Sequence, residues 1–183
     1  MTRAIAAFLK GVNVGGNKKI DMQGLRLAIS GVGCGNVRTH LQSGNAVFTS
    51  DADDLGDLAD QIEEAIKAEY GFTSKVIVRD AQGLVAAIDA DPLAQMATNP
   101  SRHLIGFLAE VPAGNAAIAA ESSSTKHDLV KVVGQHLYMW CPNGISASPL
   151  FKLNFDRILG TTVTMRNFNT AGKVAQMLSE LAL

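Results

Sequence analysis

The segment Lys10-Gly11-Val12-Asn13-Val14-Gly15-Gly16-Asn17-Lys18-Lys19 places three lysines, three glycines and two asparagines between an apolar stretch and a helical pattern. Such a loop has the chemistry to hold a phosphate or a carboxylate, because glycines let main-chain N–H groups approach a bound group and lysines neutralise it. Two further polar segments share that character. Gln42-Ser43-Gly44-Asn45 offers side-chain and main-chain amides, and Arg166-Asn167-Phe168-Asn169-Thr170 sets a guanidinium beside an amide. Together they suggest one site for a small anionic ligand. In it Lys18 and Arg166 neutralise charge, Asn13, Asn45 and Asn167 orient the guest, and Gly15, Gly16, Gln42 and Ser43 line it.

Each segment also has a purely structural reading. The glycines of the first loop serve turn geometry, the Ser-Gly-Asn composition of the second suits a hairpin, and Asn169 or Thr170 can cap a following helix.

Several named chemistries fail on spacing. In a phosphate-binding Walker loop a lysine and a Ser or Thr follow the last glycine, whereas Asn17 and Lys18 stand at those positions. Gly31, Gly33 and Gly35 imitate a dinucleotide fingerprint but end a helix instead of joining a strand to one. Ser43 lies outside any Gly-x-Ser-x-Gly elbow. His40, His103, His127 and His136 show no metal-ligand spacing, so no metal site is expected. Lys126-His127-Asp128 reads as a solvated stretch, the acidic run Asp51, Asp53, Asp54, Asp57 and Asp60 as complement to a helix dipole, and Cys141 as a small buried residue. No motif names a catalytic residue, a cofactor or a reaction.

The elements that must position these residues follow from periodicity and turn chemistry. Residues 3–9 read as a buried strand, and Asp21 caps a helix carrying Met22, Leu25, Ala28, Ile29 and Val32 on one face. Residues 36–41 and 46–50 form a hairpin, residues 53–70 a helix, 75–79 a strand, and Asp80 caps a helix to about Ile88. The same order then repeats. Strands are expected at 103–109, 128–133, 136–141 and 161–165, with helices at 112–120, from Ser148-Pro149 to Gly160, and from about Thr170 to Leu181. The fold class is therefore α+β, a tandem pair of ferredoxin-like βαββαβ units, each followed by an extra helix. The expected division is 1–90, a linker at 91–101 carrying Asp-Pro and Asn-Pro, and 102–183. One mixed sheet of about eight strands is the alternative architecture.

Three blocks carry a family resemblance: Phe8 to Met22, Val37 to Phe48, and Thr164 to Thr170, with the Pro142-Asn143-Gly144-Ile145 turn in support. The chain resembles the bacterial family catalogued as domain of unknown function 1697. The resemblance implies no activity, substrate or cofactor. Family patterns usually carry Arg at position 10, Pro at 21 and Trp at 168. Lys10 keeps the charge but loses the planar fork of Arg, and Phe168 keeps a stacking face without an indole donor.

Composition limits the partners. With 47% hydrophobic and 18% charged residues the 183-residue chain is expected to be globular, and a formal net charge of -1 supplies no general attraction for nucleic acid or anionic lipid. The strand Ala46-Val47-Phe48-Thr49 lacks the basic, aromatic character of an RNA-binding sheet, which leaves a nucleic-acid module as the weaker alternative. A self-associating protein that pairs through a sheet edge is a third. Apolar runs fall short of the roughly 18 residues of a membrane span, and two isolated cysteines suit a reducing compartment, so a cytoplasmic location is expected.

Overall fold

In the computed structural model, which describes residues 1–181, the buried stretch near the N-terminus becomes β1 (Arg3–Leu9). Ile5 to Leu9 are fully buried because β1 is a central strand, paired antiparallel with β3 (Asn45–Ser50) on one side and β4 (Val76–Asp80) on the other. The edge strand β2 (Gly35–His40) completes a sheet of order β2-β3-β1-β4. Ala6 faces Val47 and Arg79 in register.

Two helices cover one face of this sheet. Asp21 starts α1 (Met22–Gly31) by accepting from the Gly24 N–H at 2.7 Å, and Asp54 starts α2 (Leu55–Tyr70) by accepting from Gly56 and Asp57. Gly71, at φ 74°, ends α2 in the left-handed conformation that glycine adopts without penalty. Leu25 and Ile29 of α1 and Leu58, Ile62 and Ile66 of α2 pack on Ile5, Leu9, Phe48 and Val78. Each fully buried Leu, Ile or Phe contributes about 1.5–3 kcal/mol, so this core holds the loops at the sheet's end in place.

The second half repeats the order. A sheet β6-β7-β5-β8 forms from β5 (His103–Leu108), β6 (Leu129–Val133), β7 (His136–Trp140) and β8 (Val163–Asn167), all antiparallel. Gly106 in mid-β5 makes room for its neighbours, since a Cβ there would stand 2.9 Å from Val163 Cγ2. The core gathers Leu104, Leu108, Leu137 and Met139 of the sheet with Ala120 of α4 (Ala116–Glu121) and Phe155 and Leu159 of α5 (Phe155–Leu159). The helices that trail each half are α3 (Ala81–Asp89) and α6 (Phe168–Leu181). The architecture is thus a mixed α+β fold with two four-stranded sheets, not one eight-stranded sheet.

Three boundaries differ from the sequence reading. The chain divides into one compact unit of residues 1–85 with 173–181 and another of 86–172. Segment 91–101 packs inside the second unit, where Leu93 is buried and Asp91 approaches His103, so it is not a free linker. The single helix expected from Ser148 to Gly160 is broken into a 3-10 turn (Pro149–Lys152) and α5, because Asn154 turns extended and caps a new start by accepting from Arg157 N–H. The last strand ends two residues later than expected. Its final residue, Asn167, caps α6 by accepting from the Thr170 N–H at 2.9 Å, which takes that role from Asn169 and Thr170.

Candidate functional site

The loop between β1 and α1 is organised by one side chain. Asn13 adopts φ 57°, a left-handed conformation that asparagine tolerates better than most residues. Its Nδ2 donates to Ile20 O at 2.9 Å and to Gln42 O at 2.6 Å, and its Oδ1 accepts from Ile20 N–H at 3.0 Å. The backbone closes the same ring, with Asn13 N–H donating to Lys18 O at 2.8 Å. Asn13 is therefore a staple. Val12 and Ile20, both nearly fully buried, pin the two ends of the ring into the core.

What the staple presents is a flexible-residue tip and a positioned cation. Gly15 and Gly16 are consecutive left-handed residues at φ 65° and 85°, with nothing within 4 Å of where a Cβ would stand. Lys18 Nζ donates to Thr73 O at 2.7 Å and lies 6.0 Å from the Phe72 ring centre. Both partners are neutral. Among the described residues no carboxylate lies within ion-pair distance of Lys18, so its charge stays uncompensated.

The β2–β3 turn abuts this loop. Leu9 N–H donates to Gly44 O at 2.8 Å, and Gly44, at φ 78°, sits so close that a Cβ would lie 2.7 Å from Leu9 Cβ and 2.8 Å from Val12 Cγ2. Asn45 is fully buried as the first residue of β3, and its Nδ2 donates to His40 O and to Ser43 Oγ. It braces the turn. Gln42 remains exposed, and Ser43 is half-buried. The structure thus brings Asn13, Gly15, Gly16, Lys18, Gln42, Ser43 and Asn45 to one end of the first sheet, with Asn13 and Asn45 committed to framework bonds.

Arg166 and Asn167 belong to the second unit. Arg166 is buried in β8, where its Nη1 donates to Thr164 Oγ1 at 2.9 Å and to Met165 O at 2.8 Å. Burial pushes its pKa down to about 10, the mark of a cation held out of water. Asn167 spends its side-chain oxygen on the α6 cap.

Sequence reasoning missed three features. The Thr73 carbonyl that holds Lys18 carries no residue-type signal, although Phe72 in the polar Gly71-Phe72-Thr73-Ser74 stretch was a visible oddity. Leu41, which opens the turn, adopts φ 57° with its side chain 57% exposed. His103 is buried with its ring stacked on Phe168 at 3.9 Å between centres and its Nε2 3.3 Å from Asp91 Oδ2, a close approach without hydrogen-bond alignment. Asp128, read from sequence as solvated, is buried and accepts from Ser148 Oγ at 2.8 Å. Cys141 is fully buried, and burial pushes its thiol up, away from the reactive thiolate.

Two antiparallel sheets with helices, and a stapled, lysine-bearing loop at the end of the first, define a two-unit α+β protein with a polar surface site. The chain belongs to the family described as protein of unknown function (DUF1697), whose model matches residues 1–138. The structure of the conserved bacterial protein SP0830 from Streptococcus pneumoniae is similar in fold, with 24% sequence identity, a TM-score of 0.77, and coverage of 97% of this chain and 99% of that one. No curated protein matches the chain. No described helix is long and apolar enough to cross a membrane.

Proposed function

We propose that the first unit binds a small anionic ligand, bearing a phosphate or a carboxylate, where the 13–19 loop meets the 42–45 turn. The observation that carries this reading is Lys18: it is fixed by a neutral carbonyl and a ring, has no described carboxylate partner, and stands beside two left-handed glycines that open the backbone to a guest. Gln42 and Ser43 supply polar groups at the rim, and Asn13 and Asn45 act by holding the loop and the turn in place.

A thermal-shift panel of inorganic phosphate, nucleotides, sugar phosphates and carboxylates tests it. A ligand at about a hundred times its Kd stabilises the fold by about 2.7 kcal/mol, and Lys18→Met removes that gain while leaving the unliganded melting temperature close to wild type. A flat response across the panel overturns the reading. Arg166 and Asn167 belong to the second unit, where both make hydrogen bonds within it, and are not part of this proposal.

We also read each unit as ferredoxin-like. The antiparallel strand orders β2-β3-β1-β4 and β6-β7-β5-β8, with one helix region inserted after the first strand and one after the third of each set, support that reading. The free, buried Cys34 and Cys141 support a reducing, cytoplasmic setting.

A further inference from the structure

Leu41 is held where a leucine is costly. A branched side chain at φ 57° crowds its own backbone, which explains why this region favours Gly, Asn and Asp, and residues that persist there are over-determined by their surroundings and concentrate at ligand-binding sites. Here the surroundings are explicit. His40 O on one side is bonded by the buried Asn45 side chain, and Gln42 O on the other is bonded by Asn13. The fold thus spends its bracing to project an apolar side chain into water, 57% exposed, when glycine or asparagine would fit the turn without strain.

A second apolar side chain accompanies it. Val14, 69% exposed, follows Asn13 directly and Leu41 directly precedes Gln42, so each is the chain neighbour of a partner in the 2.6 Å bond between Asn13 Nδ2 and Gln42 O. Single exposed apolar residues need no explanation, but a strained one in a turn bonded to the loop that carries Val14 and Lys18 does. We infer that the anion taken by this loop carries an apolar ring or chain, seated on Val14 and Leu41 while Lys18 meets its charge. The inference rests on the anion-binding reading and names the substrate class: an amphiphilic phosphate or carboxylate.

Calorimetry with phenyl phosphate and inorganic phosphate, on the wild type and on Leu41→Gly, separates the two ideas. Phenyl phosphate is expected to bind about tenfold tighter than inorganic phosphate, equivalent to ~1.4 kcal/mol. Leu41→Gly is expected to melt at a higher temperature, because the strain is relieved, to keep its affinity for inorganic phosphate, and to lose most of the preference for phenyl phosphate. Val14→Ser, which leaves the turn untouched, is expected to lose part of that preference.

Equal affinity for both probes in the wild type overturns the amphiphile inference and leaves the anion reading standing. Absence of binding by either probe overturns the amphiphile inference, and a flat thermal-shift panel overturns the anion reading with it. A preference that survives in both variants also overturns the inference. Binding to vesicles of anionic phospholipid without binding of phenyl phosphate overturns a soluble guest in favour of a lipid surface.

Discussion

The loop after the first strand separates the two units more sharply than any other part of the molecule. The backbone frame is the same in both. Leu9 N–H donates to Gly44 O and Lys10 N–H to Lys75 O in the first unit, and Leu108 N–H donates to Gln135 O and Ala109 N–H to Thr162 O in the second. On that shared frame the first loop carries Lys10, Lys18 and Lys19, whereas the second, Ala109 to Asn115, carries Glu110 and no cation. The strand-to-helix junctions stayed alike. Arg79 and Arg166 each donate from Nη1 to the preceding carbonyl at 2.8 Å, burial pushes both guanidinium pKa values down, and Asp80 and Asn167 each cap the next helix. The two units share backbone bonding and burial, while the lysines and paired glycines occur in the first loop alone.

The hairpin turns offer the strongest test of that difference. Gly44→Ala adds a Cβ within 2.8 Å of both Leu9 and Val12 at a left-handed φ, and is expected to cost about 3 kcal/mol. Gly134→Ala, at φ 55° with open space around it, is expected to cost only ~1 kcal/mol from strain. Urea denaturation of both variants measures the gap, and equal losses would remove the claim that the first turn is wedged against its loop.

The staple comes next. Asn13→Ala removes three hydrogen bonds and is expected to cost about 2 kcal/mol and to speed amide exchange across residues 13–20. Exchange rates unchanged in that segment would show that the ring closes without Asn13.

The second unit carries a buried imidazole with no counterpart at the matching position of the first. Register places Ala4 in β1 where β5 has His103, so only the second sheet holds an imidazole at this position. Burial beside Phe168 and Trp140 holds the His103 pKa below its usual value of 6.5, against the opposing pull of Asp91. The folded state therefore binds fewer protons than the unfolded state just below that value. Its stabilising contribution is complete above pH 6.5 and is lost as pH falls through the depressed folded pKa. Urea midpoints followed from pH 8 to 5 are expected to show this fall in the wild type and a shallower one in His103→Phe.

Much of the framework was legible because it is local. Asp21 and Asp80 announced helix starts, a buried apolar run marked the first strand, and the strands expected at 128–133 and 136–141 formed a hairpin. The failures were local rules in competition. Asn154 capped a new helix inside a segment that read as one, and Asn167 both ended a strand and began a helix, which shifted both boundaries. At the site, residue types pointed to the loop and the turn, but not to which residues brace and which face outward.

By itself the sequence determined the element order, the apolar faces and the unusual concentration of lysine and glycine after the first strand, because periodicity, capping and turn preference act over a few residues. Only the tertiary structure decided that Asn13 staples the loop to Gln42, that Lys18 rests on the Thr73 carbonyl, and that Leu41 is strained outward. Those outcomes depend on main-chain groups brought together from 29 and 55 residues away, and a carbonyl has the same chemistry at every position in the chain.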